Sequence, residues 1–226
     1  KILDTNKNTV LVINTGSPVS MPWIKSCPAI LQTWFPGQEF GNALAEILFG
    51  KESPSGKLPT TYPKKLSDTP AYSSYPGKNL QMDYKEKLLV GYKWYDKKKI
   101  EPLFPFGHGL SYSKFKLKKV SVTKKKHEIK IKVKLKNIGD FSTFETVQCY
   151  LERKAVKAET PKKKLVDFKK LKVTENKSKK LTLKVSKKDL SEWDVKKSKW
   201  EIAKGDYIIH VGTSVKDISI TEEIKI

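Results

Sequence analysis

His108 is the residue whose surroundings most suggest a chemical role, because it stands between two glycines in the segment PLFPFGHGLSYSKF, residues 102–115. Imidazole ordinarily titrates near neutral pH, so an exposed histidine could act as a proton shuttle. The segment also holds prolines, which restrict the backbone, and glycines, which permit unusual dihedral angles. This composition favours a structural joint, and we predict that His108 is packed within it. The side chains expected to bury the joint are Phe104, Phe106, Leu110 and Tyr112.

Aromatic and acidic residues between positions 84 and 95 form a second candidate. Aromatic faces stack on sugar rings, so this segment could line an outer sugar subsite. Aromatic side chains also bury large areas and commonly belong to a core, and we favour that packing role. The same argument predicts that Trp193 and Trp200 are core or interdomain residues rather than a carbohydrate platform. The residues of the segment are Tyr84, Glu86, Tyr92, Trp94 and Tyr95.

Metal and thiol chemistry find little support in the sequence. The three histidines and two cysteines lack the spacing of metal ligands, so we predict no metal and no cofactor. Cys27 and Cys149 are far apart in sequence and are predicted to be free, buried side chains rather than a disulfide. We assign no catalytic, substrate-binding or metal-ligating residue within the chain.

The formal net charge of +22 raises the question of a nucleic-acid partner. Of the 46 basic residues, however, only Arg153 is an arginine, the side chain that base recognition favours. We therefore predict no nucleic-acid partner. No apolar run reaches the roughly 18 residues of a membrane span, so we also predict no membrane partner. One sequon, Asn176-Lys177-Ser178, is compatible with secretion, but secreted and cytoplasmic locations both stay open, as does the oligomeric state.

Residues 1–112 mix strand and helix signals, which predicts an α/β fragment, part of an αβα sandwich. A continuous β-branched run predicts a buried strand at Thr9–Asn14, and a second short strand candidate lies within Pro28–Phe35. Residues 51–86 are expected to form a long ordered loop. The fragment is too small to cover its own sheet, so we expect exposed apolar surface. A helix ending near Gly50 is predicted from one apolar face made of Phe40, Ala43, Leu44, Ile47 and Leu48.

Residues 113–226 alternate with period two, which predicts an antiparallel β-sandwich of about seven strands. In Glu128–Lys136 the apolar residues share one face and lysines occupy the other. Phe115–Val122 alternates too, with a slip at Lys118–Lys119 that indicates a bulge. The lysine stripes are interpreted as solvated outer faces, with an anionic-ligand surface as the alternative. Further strand candidates are ETVQCYLE, KLTLKV and YIIHVG.

Long motifs of the chain resemble glycoside hydrolase family 3, of the β-glucosidase type. The first half resembles the end of the family's α/β-sandwich domain, and the second half resembles its fibronectin type III-like domain. The motifs are NTVLVINTGSPVSMPWI, PAILQTWFPGQEFGNALAEILFGKESPSGKLPTTYP, LLVGYKWYDKKKIEPLFPFGHGLSYSKF, KNIGDFSTFETVQCYLE, DLSEWD and GDYIIHVGTS. The family usually has a small residue at Lys87, an aromatic at Leu89 and an arginine at Lys93, so the chain departs from it there.

The resemblance implies a retaining exo-acting hydrolase that removes terminal non-reducing β-D-glucosyl residues. Retention uses two carboxylates, one as nucleophile and one as acid/base. In the family the nucleophilic aspartate belongs to an N-terminal (β/α)8 barrel and the acid/base glutamate lies upstream of the NTVLVINTGSP strand. Asp68, Glu86 and Asp96 match no catalytic position. We therefore expect a piece of a longer enzyme that is inactive by itself and structural, with the β-glucoside or oligosaccharide bound through the barrel.

A stand-alone module is the alternative. In that case the β-sandwich would bind carbohydrate or protein without catalysis. The predicted domains are the same under both hypotheses, with residues 1–112 as the α/β part with its linker and residues 113–226 as the fibronectin type III-like sandwich.

Overall fold

A computed structural model describes residues 2–125, 128–154 and 160–226. The first region is an α/β unit whose two strands pair in parallel, with Val10 opposite Ala29 and Ile13 opposite Gln32. The predicted α/β fragment is therefore confirmed. Its elements are α1 (Ile2–Thr5), β1 (Val10–Ile13), β2 (Ala29–Gln32), α2 (Phe40–Leu48) and α3 (Tyr92–Lys98).

Residues 51–86 follow the prediction of an ordered loop with little regular structure, since they contain one short 3₁₀ turn at Leu66–Asp68. The loop is anchored where Tyr62 forms an isolated antiparallel bridge with Phe104. Helix α3 was not predicted. It is only seven residues long, and the lysines among them interrupt the spacing of apolar residues that indicates a helix. The helical signal in the sequence is therefore weak.

The second region is an antiparallel β-sandwich, which confirms the predicted fold class. One sheet has four strands in the order β11-β10-β5-β6, the other has three in the order β3-β4-β7, and β8 and β9 form a separate ribbon. The boundary between residues 112 and 113 stays a prediction. The strands are β3 (Phe115–Lys124), β4 (Glu128–Asn137), β5 (Thr143–Arg153), β6 (Lys163–Val173), β7 (Ser178–Ser186), β8 (Ser191–Asp194), β9 (Lys199–Ile202), β10 (Asp206–Gly212) and β11 (Ile218–Lys225).

Alternation along the strands builds the sandwich core. In β4 every second residue is buried, while the lysines between them face outward. The predicted bulge in β3 is confirmed one residue further on, because the register shifts between Lys119 and Ser121. The fully buried aliphatic side chains of the core are Ile131, Val133, Leu135, Val147, Val173, Leu183, Val185, Ile209 and Val211.

The α/β region has a much smaller interior. Its buried cluster consists of Ile13, Met21 and Tyr62, with partly buried neighbours around them. No residue of α2 is buried, so the predicted apolar face of that helix is only partly covered within the described part of the chain. Phe49, just after the helix, is 89% exposed. No helix in the described ranges is long and apolar enough to cross a membrane.

Candidate functional site

Residues 102–112 form a joint that is hydrogen-bonded to the loop of the α/β region. The amide of Leu58 donates to the carbonyl of His108 at 2.8 Å, and the amide of Gly107 donates back to Leu58 at 2.8 Å. The amide of Tyr62 donates to the carbonyl of Phe104 at 2.9 Å. These backbone hydrogen bonds attach the joint to the α/β region, so it is not a free linker between the two regions.

The same segment is bonded to the β-sandwich on its other side. The amide of Val215 donates to the carbonyl of Phe106 at 3.1 Å. The Gln148 side-chain amide donates to the carbonyls of Gly107 at 3.3 Å and Thr213 at 2.6 Å. Gly107 is buried with a φ of +81°, and a Cβ built there would overlap the Gln148 side chain. Only glycine meets both requirements at this position.

His108 is a packed member of the joint, which confirms the structural interpretation. Its ring stacks on Phe104 with a centroid separation of 5.1 Å and an interplanar angle of 20°. Burial lowers the pKa of His108, and the nearby Lys57 charge lowers that pKa further. The imidazole is thus neutral at pH 7 and held as an aromatic ring. Leu110 and Tyr112, which we expected to bury the joint, are instead 77% and 48% exposed, so a burying role is wrong for both residues.

A buried ion pair crosses from the loop to the sandwich. Lys57 Nζ lies 2.8 Å from Glu145 Oε1, and their side chains are only 13% and 8% exposed. Lys57 Nζ also donates to the carbonyl of Gly109 at 2.7 Å. A Cβ at Gly109 would overlap the carbonyl oxygen of Gly56. The glycine therefore allows the backbone approach that places Lys57 against strand β5.

Helix α3 contacts the sandwich through Tyr92. The hydroxyl of Tyr92 accepts a hydrogen bond from the amide of Leu165 at 2.7 Å. Its ring lies 4.8 Å from Phe106 and meets Tyr150 edge-on at 6.0 Å. Burial raises the pKa of both Tyr92 and Tyr150. These phenols stay neutral and serve as packing and hydrogen-bonding groups.

Lys163 of β6 joins helix α3 to the loop between β10 and β11. Its Nζ lies 3.4 Å from Asp96 Oδ2 of α3 and donates to the carbonyl of Val215 at 3.0 Å. The same ammonium stands 5.8 Å from the centre of the Tyr150 ring, within the range of a cation–π contact. Among the described residues, three lysine–carboxylate pairs join the two regions, since Lys216 Nζ also lies 3.0 Å from Glu101 Oε2.

The aromatic and acidic segment divides into two parts. Tyr92, Tyr95 and Trp94 pack as predicted, and burial raises the pKa of Tyr95 to about 12. The indole of Trp94 donates to the carbonyl of Asp68 at 3.1 Å. Tyr84 is 71% exposed, so a core role is wrong for this residue. The segment therefore does not assemble as one sugar-binding row.

A core position is wrong for Trp193 and Trp200, while an interdomain position stays a prediction. These side chains are 50% and 62% exposed. They face each other across the β8–β9 ribbon, with ring centroids 5.8 Å apart and an interplanar angle of 69°. The β8–β9 ribbon is a separate two-stranded sheet, and no residue of either strand is buried.

The two cysteines are free, as predicted. Cys149 is buried, and burial raises its thiol pKa to about 12, so it behaves as a small apolar side chain. Cys27 is only partly buried, and a buried position is wrong for it. Among the described residues, no three His, Cys, Asp or Glu side chains gather into a possible metal centre.

Sequence reasoning missed the polar residues that lock the joint. Lys57 lies too far along the chain from Glu145 and Gln148, both in β5, to suggest a shared site. One signal was present, because Glu145 and Gln148 interrupt the buried stretch of β5. A polar residue in a buried strand requires a partner, which points to an interface on that face.

An α/β unit locked by an ordered joint onto a fibronectin type III-like sandwich is the class of architecture that these contacts define. Residues 1–112 match the model of the glycosyl hydrolase family 3 C-terminal domain, and residues 145–215 match that of the fibronectin type III-like domain. The chain belongs to glycosyl hydrolase family 3, of which it carries the C-terminal part.

Two curated relatives and one crystal structure illustrate the similarity. The chain is 39% identical to a thermostable beta-glucosidase B of Acetivibrio thermocellus over 100% of its length. It is 40% identical to a beta-glucosidase of Bacteroides ovatus over 96% of its length. The crystal structure of a beta-glucosidase from Kluyveromyces marxianus superposes on the whole chain with a TM-score of 0.95 at 36% identity. The chain spans 30% of the length of each of these two curated relatives and 27% of the crystallised chain.

Proposed function

We propose that this chain is the C-terminal portion of a retaining β-glucosidase that hydrolyses terminal non-reducing β-D-glucosyl residues. The observation that carries the proposal is the end-to-end match, at 36–40% identity, to proteins named beta-glucosidase. Retaining hydrolysis uses two carboxylates about 5 Å apart, and we place both in a preceding part of the enzyme. The role proposed for residues 1–226 is structural, and the isolated chain is inactive.

The partly covered apolar side of the α/β region supports this role. Helix α2 has no buried residue, although Phe40, Leu44 and Ile47 line one face of it. Isolated apolar faces of this kind mark interaction surfaces. The occupant that we propose is the remainder of the α/β-sandwich domain of the same enzyme. The sandwich, locked to the α/β unit through the joint, then braces that domain from outside.

A graft tests the proposal directly. The corresponding C-terminal 27% of the Kluyveromyces marxianus beta-glucosidase is replaced by this chain, and hydrolysis of an aryl β-glucoside is measured. We expect an active chimera and an inactive isolated chain. As a matched control, Leu44→Glu and Ile47→Glu are placed in the grafted α2. This pair should abolish activity because charges cannot be buried against the host domain, whereas Lys64→Glu at an exposed loop position should not.

Two results would contradict the proposal. The first is turnover by the isolated chain that survives rigorous purification and co-elutes with it. The second is a folded chimera that binds the dye 1-anilinonaphthalene-8-sulfonate no more weakly than the isolated chain does. In the second case the exposed apolar face would have found no partner in the host.

A stand-alone carbohydrate-binding module is the second candidate, and the exposed Trp193–Trp200 pair favours it. Indole faces stack on sugar rings, and this pair is accessible at the outer side of the ribbon. Affinity electrophoresis in gels containing a β-glucan measures the binding. The double variant Trp193→Ala/Trp200→Ala should lose the retardation, whereas Phe168→Ala, another exposed aromatic, should keep it. Equal retardation of all three proteins would remove this candidate.

A further inference from the structure

The outer face of the three-stranded sheet carries lysines in rows across the strands. Lys118 of β3 stands opposite Lys134 of β4, and Lys134 stands opposite Lys180 of β7. A second row pairs Lys116 with Lys136. We call this surface the lysine face, and its members are Lys116, Lys118, Lys132, Lys134, Lys136 and Lys180, all of which are exposed.

These charges are close together and unneutralised. Directly opposite side chains on neighbouring strands have Cβ atoms about 5 Å apart, and like charges there oppose folding. No ion pair joins any member of the lysine face to a described carboxylate. Glu128, the acid at one end of the same side of β4, is already shared by Lys130 at 2.9 Å and Lys184 at 3.9 Å. The sheet therefore holds six cations in an arrangement that an external polyanion would stabilise.

The other residues on the face narrow the class of polyanion. Lys132 lies between Ser121 and Thr182, whose hydroxyls can donate and accept hydrogen bonds. The register positions of the face include no arginine and no aromatic ring. The face therefore has no side chain that could form bidentate hydrogen bonds to a base as arginine does, and none that could stack on a base. The register positions include no apolar side chain, and the neighbouring exposed residue at the β3 bulge, Val120, is smaller than the Trp, Phe and Leu side chains that enter a lipid interface.

We infer that the lysine face binds a linear polysaccharide whose sugar units carry carboxylates, a polyuronate. Successive lysines along β4 are about 7 Å apart and neighbouring strands are about 4.8 Å apart, so the rows offer a flat lattice of cations to an extended chain. Each carboxylate that pairs with a lysine releases its counterions, which favours binding. The hydroxyls of Ser121 and Thr182 form hydrogen bonds with the hydroxyls of the sugar. The binding needs no hydrolysis, so the inference stands independently of the proposed β-glucosidase activity.

Binding of polygalacturonate to the 226-residue chain tests the inference, with retardation in affinity gels and isothermal titration as readouts. The row variant is Lys118→Gln/Lys134→Gln/Lys180→Gln. The matched control, Lys7→Gln/Lys25→Gln/Lys64→Gln, removes the same charge from exposed positions of the other region. We expect the row variant to lose at least about tenfold in affinity at low salt because three contacting charges are gone, and the control to change less than about twofold because distant exposed charges are screened. Thermal unfolding of each variant confirms that it is folded.

Three outcomes would overturn the inference. Equal losses in the row and control variants would show that net charge, and not this face, drives the binding. Undiminished binding to a fully methyl-esterified polygalacturonate would show that carboxylates are not recognised. Tighter binding to a 30-nucleotide DNA or to vesicles with 30% phosphatidylserine, at matched anion concentration, would assign the face to another class of polyanion. None of these outcomes bears on glucoside hydrolysis, which the graft tests separately.

Discussion

The β-sandwich and the α/β region place their apolar residues very differently. In the described residues the sandwich buries a continuous cluster of sixteen hydrophobic side chains, whereas the buried cluster of the α/β region has three. Both regions form their expected elements, including a parallel strand pair and an amphipathic helix in the first. The difference teaches that local elements can follow from the sequence of a segment even when that segment supplies only part of the core.

The joint is where the two regions meet. Its polar contacts are specific, while helix α2 has no buried residue. We therefore expect the sandwich to be stable by itself and the α/β region to depend on the joint and on its proposed host domain. Four predictions address this contrast.

The largest effect is expected from breaking the ion pair across the joint. Lys57→Met leaves Glu145 as a buried carboxylate without its cation, which should lower the free energy of unfolding by about 3–5 kcal/mol. Urea unfolding followed by circular dichroism measures the change. The double variant Lys57→Met/Glu145→Met should recover most of the loss, and a double variant as unstable as the single one would contradict the account.

Shortening a leucine side chain should cost much more stability in the sandwich than in the α/β region. Leu183 is fully buried in the sandwich, so Leu183→Ala is expected to cost about 2–5 kcal/mol. Leu44 lies on the partly covered face of α2, so Leu44→Ala should cost less than about 1 kcal/mol, since little burial is lost. The same urea experiment compares them, and equal costs would show that α2 is packed in the isolated chain.

Glycine substitutions test the joint at the level of the backbone. Gly107→Ala places a Cβ on a residue with φ of +81° and against Gln148, at an expected cost of about 1–3 kcal/mol. Gly41→Ala in α2 meets nothing within 4 Å and should stabilise that helix by roughly 0.5–1 kcal/mol. Thermal unfolding measures whether each variant is less or more stable. A Gly107→Ala variant with unchanged stability would contradict the requirement for glycine at this position.

The smallest effect concerns two buried phenols. The hydroxyl of Tyr62 has no hydrogen-bond partner among the described residues, so Tyr62→Phe should raise stability by up to about 1 kcal/mol. The hydroxyl of Tyr150 donates to Gln148, so Tyr150→Phe should lower stability by about 1 kcal/mol. Opposite signs in chemical denaturation would support the assignment, and a loss in both would indicate a partner for Tyr62.

The elements that could be predicted from the sequence are those whose apolar residues recur with one regular spacing, that of a strand or that of a helix. Strand β4 alternates without interruption and was located from Glu128 to Lys136. Strand β6 was missed because a bulge near Cys149 leaves Val166 unpaired and breaks its alternation. The exposure of Trp193 was mispredicted because composition favours burial, and only the three-dimensional structure shows a ribbon with a free side. The contacts of Lys57 required knowledge of which distant segments meet.

The loop between Tyr62 and α3 has one further consequence. One end is held at the joint by the Tyr62–Phe104 bridge and the other is held to β6 by the Tyr92 hydroxyl, while the tip at Leu80 is exposed to solvent. Lengthening a loop whose ends are already closed adds little chain entropy, and exposed tips are preferred sites of proteolytic nicking. A single protease cut near residue 80 should thus yield two fragments that co-migrate under native conditions and separate only in denaturant, and the same tip is the natural place to insert a tag.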